Sequence, residues 1–396
     1  MKRKFWLLEK KQGSSLQTEK ERNMQPLTYT FEELLAHKES GNVPRSVIEK
    51  LKGDADEILT KPTLKVTDIK LPRPSGNVHD YTSISPYRWP NPDTPNGLPW
   101  VRRDGYVNPD TRTEIHPGGV YSRVHTLALA AVYFPERANE YAEYANRQMY
   151  DWFINPETYI EPNAKYAQSI PGVCDGCAPG LIEFFYAHPF FNGVGILDSL
   201  GLADEKIISG VKDWFVRFVN WMRTDDNIGI QEGAGRDNHG VWHDAFTLGA
   251  AVFTERKALV TSILRSAYYT QIKRKISKEG AHTAELERTT SMGYSFYSFS
   301  AMLVIANIGE RMGYKEYWGV DYERGECILK KSADFMYPYT KDPKTWPYSE
   351  LHPEKSGERM AVRLASIAKR FPNEGYEEKI KSFDITPGEW MLEPII

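Results

Sequence analysis

The sequence predicts an all-α fold built from paired helices that are joined by long loops. Apolar residues recur at helical spacing through most of the chain after residue 120, most clearly in EKIISGVKDWFVRFVNWMR. Clear runs of alternating apolar and polar residues, which are typical of strands, are absent from the sequence. Helical hairpins in series can curl into an incomplete α/α toroid, and the centre of such a toroid forms a natural cleft.

The composition fits a soluble protein with a sizeable core and gives no general attraction to nucleic acid. Of 396 residues, 41% are hydrophobic, and 50 Lys and Arg face 53 Asp and Glu, a slightly acidic balance. A polyanionic ligand would therefore need a local basic patch. The aromatic residues, 13% of the chain, serve either the core or a groove that stacks sugar rings or bases.

The two ends of the chain suggest a short leader and one large domain. The N-terminus, MKRKFWLLEKKQGSSLQTEKER, begins with basic residues as a signal peptide does, but its apolar run is only FWLL. We therefore expect residues 1–24 to form a polar leader and residues 25–396 to form a single domain. No stretch is long and apolar enough to cross a membrane, so no membrane partner is expected.

A long segment without helical periodicity interrupts the predicted helices. Two short amphipathic helices, TFEELLAHKES and SVIEKLKGDADEIL, precede it, and residues 71–120 are then dense in Pro, Gly, Asn and Asp. A loop of this length in a compact protein is usually functional or disordered. Its aromatic and basic side chains argue against disorder, so we predict an ordered cover over a site; they include Tyr87, Trp89, Trp100, Arg102 and Arg103.

The three cysteines do not form a disulfide scaffold or a zinc ribbon. Cys174 and Cys177 make one C-x-x-C pair, whereas Cys327 stands alone, and a zinc ribbon needs a second pair. A local disulfide or two free thiols is the expectation, and no metal or other cofactor is expected.

The segment GRDNHGVWHDAF allows three interpretations. His239 and His243 are spaced i, i+4, which is half of a metalloprotease signature, but Gly240 stands where that signature has Glu. Asp237 or Asn238 is well suited to cap the helix that follows. A helix N-terminus offers free N–H groups and partial positive charge, so Asn238 and His239 could hold a carboxylate there.

The segment AELERTTSMGYSFYSF contains an arginine and a tyrosine six residues apart. On an ideal helix, Arg288 and Tyr294 would lie roughly 120° apart, so spacing alone does not put them on one face. Gly293 makes a continuous helix doubtful, and we expect Arg288 just before the helix and Tyr294 within its start. By pattern alone, Tyr294 is either an ordinary core tyrosine or a functional one.

Taken in order, these motifs resemble the alginate lyase superfamily of polysaccharide lyases, and most of all its glucuronan- and alginate-cleaving members. The resemblance covers nearly everything after residue 75, and the matching segments are DYTSISPYRWPNPDTPNGLPWVRRDGYVNP, IPGVCDGCAPGLIE, WFVRFVNWM, DNHGVWHDAF, ELERTTSMGYS and WPYSELHP. It implies an incomplete α/α toroid with a long ordered loop over the cleft, which agrees with the helical pattern above.

The resemblance also implies roles for individual residues. The catalytic residues would be Asn238, His239, Arg288 and Tyr294. The substrate-binding residues would be Tyr87, Trp89, Trp100, Arg102, Arg103, Gln168, Trp242 and His243. Three positions depart from the common family pattern: Asp237 replaces an asparagine, His243 a tyrosine and Arg88 a tryptophan. None of them removes a catalytic residue, but all three alter charge near the cleft.

The resemblance implies β-elimination on a 1,4-linked uronate polymer, either glucuronan or mannuronate-rich alginate. An anionic polysaccharide is then the expected partner, and a periplasmic or secreted location follows from that substrate. We expect cationic neighbours to lower the pKa of Tyr294 so that it can act as the base. Two alternatives stay open: a non-catalytic glycan-binding protein, and a glycoside hydrolase that uses two of the carboxylates Asp225, Asp226, Glu232 and Asp244.

Overall fold

A computed structural model describes residues 24–383 and 388–394 of the chain, and these residues form a predominantly helical structure. The predicted leader lies outside the described residues except for Met24. The helices are α1 Phe31–Glu39, α2 Arg45–Thr60, α3 Pro117–Tyr133, α4 Ala138–Phe153, α5 Ile182–Phe185, α6 His188–Ser199, α7 Glu205–Met222, α8 Gly229–Gly233, α9 Asn238–Phe253, α10 Lys257–Ala267, α11 Ser291–Arg311, α12 Ile328–Lys341, α13 Ser356–Arg370 and α14 Tyr376–Lys381.

The burial of the helices divides them into an inner and an outer ring. Helices α3, α6, α9 and α11 are buried on nearly all sides, and each packs on the next, with α13 following α11. Helices α2, α4, α7 and α10 bury only one face, as helices at the outside of a layered fold do. The arrangement is an incomplete α/α toroid, which confirms the predicted fold class.

Much of the aromatic content fills the core between the two rings. Trp214 lies 4.9 Å from Phe218 and 5.0 Å from Phe153, measured between ring centroids, and Phe190 and Phe215 continue the cluster. All of these side chains are buried. Aromatic side chains bury large apolar areas, so this cluster is a main source of stability where α4, α6 and α7 meet.

Residues 71–120 form the predicted ordered cover, and its strands are very short. Strand β1 (Thr82–Ile84) pairs in parallel with β4 (Tyr166–Ser169), and β2 (Arg88–Trp89) pairs antiparallel with β3 (Val101–Arg102). The segment ends where α3 begins with a proline in its first turn. The β2–β3 hairpin contributes Arg88 and Arg102 to the lining of a central cleft.

Candidate active site

A cleft of about 940 Å³ opens under the cover at the centre of the inner ring. The cover contributes Tyr87 and Arg102, and the N-terminal ends of α9 and α11 contribute further polar side chains. The four residues that the sequence suggested as catalytic all line this cleft: Asn238, His239, Arg288 and Tyr294. Two motifs separated by some fifty residues in the sequence therefore meet in one site.

The N-terminus of α9 is fixed by a cap and by a buried lysine. The side chain of Asp237 accepts a hydrogen bond from the backbone N–H of His239 at 3.1 Å, so Asp237 is the N-cap. Lys275 Nζ donates to the carbonyl oxygens of Gly235, at 3.0 Å, and Asp237, at 2.8 Å. Asn238 and His239 consequently occupy the first turn of α9, where the helix dipole favours a bound anion.

His239 is held by a buried carboxylate. Its Nδ1 lies 2.5 Å from Oε1 of Glu232, and Glu232 is only 4% exposed. Burial alone would lower the pKa of His239, but the hydrogen bond and the charge of Glu232 outweigh it and raise the pKa above its ordinary value. A raised pKa favours the imidazolium form, whose positive charge suits a role beside a substrate carboxylate.

Asn238 is held by a second buried carboxylate. Its backbone N–H and its Nδ2 donate to the two oxygens of Glu285, at 2.5 and 3.0 Å. Both residues are 1% exposed, and burial raises the pKa of Glu285 to about 7. The Oδ1 atom of Asn238 has no hydrogen-bond partner among the described residues. The amide is thus oriented by Glu285: its Oδ1 can accept a further hydrogen bond, and the second hydrogen of Nδ2 is the donor that remains for a carboxylate.

Arg288 is held by a carboxylate from the cover. Its Nε and Nη2 donate to the two oxygens of Asp104, at 3.1 and 2.8 Å, and Arg102 donates to the same carboxylate at 2.6 Å. Burial alone would raise the pKa of Asp104, but these hydrogen bonds outweigh it and hold the pKa well below its ordinary range. Asp104 therefore stays ionised and keeps the guanidinium of Arg288 in a fixed plane.

Tyr294 lies between Arg288 and a second tyrosine. The guanidinium carbon of Arg288 is 3.6 Å from the centroid of the Tyr294 ring, and the hydroxyls of Tyr294 and Tyr87 are 2.7 Å apart. Arg288 precedes α11 and Tyr294 lies in its first turn, as the sequence suggested. The expected lowering of the pKa is wrong: burial and the nearby Tyr87 raise the pKa of Tyr294, although Arg288 opposes them.

The predicted substrate-binding residues fall into two groups. Tyr87, Arg102 and Gln168 line the cleft. The other five do not line it: Trp89, Trp100, Arg103, Trp242 and His243.

Some of these five side chains make contacts elsewhere in the protein. The indole N–H of Trp89 donates to the carbonyl oxygen of Tyr106 at 3.0 Å, and the guanidinium of Arg103 lies over its ring. Trp242 is 1% exposed and packs on Tyr297 in the core, with the two ring centroids 5.0 Å apart. Direct contact with a ligand in the cleft would require a rearrangement of Trp242, because the core encloses its ring.

Residues that the sequence did not single out complete the site. Asp104, Glu285, Arg359 and Arg363 are the main ones, and Glu232 was considered only as a possible hydrolase acid. Glu285 stands three residues before Arg288, so charge spacing offered a weak signal for it. Asp104 is 184 residues away from Arg288, so no local pattern could connect the two.

The glycoside hydrolase alternative finds little support in the positions of its four candidate carboxylates. Of the four hydrolase candidates only Glu232 lines the cleft, while Asp225 caps a turn and Asp244 accepts from Gln271 at 2.7 Å. Cys174 and Cys177 are free thiols. Within the described residues, no group of His, Cys, Asp and Glu is arranged to hold a metal, and no helix has the length and apolarity to cross a membrane.

The toroid and its polar cleft define a polysaccharide lyase. The chain belongs to the alginate lyase family, because the sequence profile of that family matches residues 65–346. An alginate lyase from Bacteroides ovatus is 28% identical in sequence and superposes with a TM-score of 0.87, covering 93% of this chain and 99% of that one.

Two further solved structures share the fold at lower similarity. Alginate lyase A1-III from Sphingomonas species A1 is 14% identical, with a TM-score of 0.51 over 85% of this chain and 90% of that one. A variant of A1-III complexed with a tetrasaccharide is also 14% identical in sequence. It superposes with a TM-score of 0.52 over 84% of this chain and 90% of that one. No curated protein matches the chain.

Proposed function

We propose that this protein cleaves a 1,4-linked uronate polymer of the alginate type by β-elimination and leaves a C4–C5 unsaturated uronate at the new end. The observation that carries the proposal is the position of Tyr294. Its ring is covered by the guanidinium of Arg288, and it shares one cleft with Asn238 and His239. A proton-transfer group and three hydrogen-bond donors for a carboxylate are thus available at one place.

Asn238, His239 and Arg288 serve to stabilise the charge that develops on the substrate. Removal of the C5 proton of a uronate places negative charge on its C6 carboxylate, and donors aimed at that group lower the barrier. The imidazolium of His239 is favoured by Glu232, and the guanidinium of Arg288 is preoriented by Asp104. The C5–H bond and the C4–O4 bond break, a C4–C5 double bond forms, and O4 receives a proton.

Tyr294 serves as the base, and the same hydroxyl returns a proton to O4. Arg288 lies over its ring and Tyr87 provides a hydrogen bond to its oxygen, and both interactions can stabilise a tyrosinate. Because burial raises the pKa of Tyr294, only a small fraction is ionised at neutral pH, and that fraction is a strong base. One tyrosine can perform both transfers only when H5 and O4 share a face of the sugar.

This geometric condition selects the substrate. Mannuronate and glucuronate differ only at C2 and present the same C4–C5 arrangement, whereas guluronate is inverted at C5 and needs a base on the opposite face. His239 would then have to be neutral, which its contact with Glu232 disfavours. We therefore propose mannuronate-rich alginate or glucuronan as the substrate. Arg88 and Asp237, two of the departures from the family pattern, line the cleft and favour a shift towards glucuronan.

The test is a comparison of initial rates on polymannuronate, polyguluronate and glucuronan at equal uronate concentration. The ultraviolet absorbance of the C4–C5 double bond reports elimination, and we expect the two manno/gluco polymers to be cleaved faster than polyguluronate. New reducing ends without that absorbance would indicate hydrolysis. A faster rate on polyguluronate than on both other polymers would rule out the single-tyrosine mechanism and make His239 the base.

A further inference from the structure

Helix α13 brings two arginines, one turn apart, to the floor of the cleft. Arg359 and Arg363 are spaced i, i+4 and both line the same cavity as Tyr294. Like charges at this spacing destabilise an isolated helix by roughly 0.2–0.5 kcal/mol. Neither arginine forms an ion pair with any described residue. An arrangement with this cost needs a reason outside helix stability.

The guanidinium of Arg359 is free to bind a ligand. It makes no hydrogen bond to any residue in the described part of the chain, although the backbone oxygen of Arg359 accepts one from Arg363. Glu350, which lines the same cleft, accepts from the backbone N–H groups of Gly293 and His352, each at 2.9 Å. Its hydrogen bonds in the structure thus go to the backbone, and none comes from Arg359.

The residue before Tyr294 makes room for this guanidinium. A Cβ atom added to Gly293 would lie 2.9 Å from Nη1 of Arg359, which is closer than a carbon and a nitrogen normally approach. The guanidinium of Arg359 therefore lies beside the first turn of α11, and a side chain at position 293 would require its flexible end to shift. Arg359 comes from α13, whereas Arg288 precedes α11.

Arg363 lies one helical turn after Arg359 and contacts its backbone. It donates to the carbonyl oxygen of Phe296 at 2.9 Å and to Oγ of Ser300 at 2.5 Å, as well as to the carbonyl oxygen of Arg359. Burial, together with the positive charge of Arg359, lowers the pKa of Arg363 to about 10, although Tyr186 opposes this shift. It stays charged at neutral pH, so its positive charge adds to that of Arg359 at the cleft.

We propose that Arg359, supported by Arg363, binds the carboxylate of the uronate residue next to the one that loses its C5 proton. This inference rests on the proposed function, because it requires a polymer that carries a carboxylate on each sugar. Arg288 is already paired with Asp104 and serves the reacting sugar. Arg359 offers the flanking carboxylate an uncommitted cation, so at least two adjacent uronates must be bound for full affinity.

The first experiment measures binding without turnover. All variants carry Tyr294→Phe, so that no cleavage occurs. Calorimetry measures the affinity for a mannuronate trisaccharide and for a glucuronate trisaccharide in the parent, in Arg359→Gln and in Arg359→Lys. We expect Arg359→Gln to weaken binding of the better ligand tenfold or more, with Arg359→Lys in between. The matched control is Arg45→Gln, which removes the same charge from an exposed site on α2 and should leave the affinity unchanged.

The second experiment separates affinity from chemistry in the active enzyme. With Tyr294 intact, Arg359→Gln should raise KM about tenfold and change kcat less than threefold, and the dependence of KM on salt should become weaker. A fall in kcat at constant KM would place Arg359 on the reacting sugar and overturn the inference, as would trisaccharide binding that is indifferent to Arg359→Gln.

The outcomes for this inference and for the proposed function are distinct. A wild-type protein that forms no C4–C5 double bond on any uronan would overturn the proposed function. In that case, loss of trisaccharide binding in Arg359→Gln would still show that Arg359 binds a uronate carboxylate, but its position relative to a reacting sugar would be overturned with the proposed function. Absence of trisaccharide binding to the parent would overturn the inference, even if the wild-type protein cleaves the polymer.

Discussion

At the scale of single residues, the hydroxyl of Tyr294 is the group on which the proposed mechanism depends. Tyr294→Phe keeps the ring under Arg288 and removes only the ionisable oxygen, so we expect turnover to fall by about 10²–10⁴. The ultraviolet absorbance of the C4–C5 double bond measures the rate of elimination, and circular dichroism checks that the variant is folded. Tyr322→Phe, at a fully exposed tyrosine, is the matched control and should be fully active. A Tyr294→Phe variant that retains a tenth of wild-type turnover would remove Tyr294 from the mechanism.

The two titrating residues predict the shape of the pH profile. The proposed mechanism requires tyrosinate at Tyr294, whose pKa is raised by burial, together with imidazolium at His239, whose pKa is also raised, by Glu232. As pH rises towards the pKa of His239, the tyrosinate fraction grows tenfold per pH unit, so kcat/KM should rise with unit slope. Above that pKa the loss of imidazolium cancels the gain in tyrosinate, and kcat/KM should level off.

The variant His239→Gln tests this interpretation of the profile. It removes the titrating imidazole, so kcat/KM should be lower throughout but should continue to rise where the wild-type profile is flat. The measurement is the initial elimination rate at low substrate concentration across the pH range in which the protein stays folded. A plateau that persists in His239→Gln would show that His239 does not set it.

At the scale of structural elements, Asp104 connects the cover to the segment that precedes α11. It lies just after β3 and accepts hydrogen bonds from Arg288, Arg102 and both the backbone and the hydroxyl of Thr289. Asp104→Asn keeps the size but removes the charge and one acceptor oxygen. Hydrogen bonds to charged groups contribute about 1.5–3 kcal/mol, so kcat/KM should fall about tenfold to a hundredfold.

The control for Asp104 lies in the same segment. Asp110→Asn makes the same chemical change at an exposed carboxylate, and its activity should stay within about twofold of wild type. If Asp104→Asn is as active as Asp110→Asn, Arg288 does not need the cover to hold its orientation. A loss confined to KM would instead indicate that Asp104 acts through the binding contribution of Arg102.

At the scale of the whole molecule, residues 388–394 fasten the two ends of the described chain to the inner ring. Glu393 accepts hydrogen bonds from Tyr29, from His125 at 2.9 Å and from Asn192 at 3.2 Å. Tyr133 donates to the carbonyl oxygen of Leu392 at 2.8 Å. The N-terminal segment, α3 and α6 thus converge on the carboxylate of Glu393.

Glu393→Gln should destabilise the protein in a pH-dependent way. Burial would raise the pKa of Glu393, but His125, Tyr29 and Asn192 lower it to about 2. The carboxylate's stabilisation is therefore fully present above the unfolded pKa of about 4.3 and is lost as pH falls through about 2. We expect the free energy of unfolding at pH 7 to fall by about 2 kcal/mol, and less at pH 3.

Urea titration at both pH values measures this effect. Glu389→Gln is the matched control, because Glu389 lies on the same segment but pairs with Lys50 at an exposed site. Its loss should change the free energy of unfolding by less than about 0.5 kcal/mol. Equal free energies of unfolding for the two variants would mean that Glu393 does not stabilise the fold through its contacts with Tyr29, His125 and Asn192.

The sequence by itself determined the features that depend on local pattern. Helical periodicity placed most of the helices, the composition of residues 71–120 predicted the ordered cover, and Asp237 was foreseen as a possible cap for α9. The resemblance of short motifs to a known family pointed to the four residues that meet in the cleft. Periodicity, turn composition and capping act over a few residues, so the sequence alone exposes them.

Only the tertiary structure decided which charges meet and which side chains the cleft exposes. Asp104 pairs with Arg288 across 184 residues, Glu393 pairs with His125 across 268, and both pairings are products of the curvature of the toroid. A tryptophan such as Trp242 is a residue type that often stacks on sugar rings, yet its position on α9 directs its side chain into the core. A pKa also depends on burial and on distant partners, which is why the pKa of Tyr294 shifts upwards, against the expectation from its neighbouring cations.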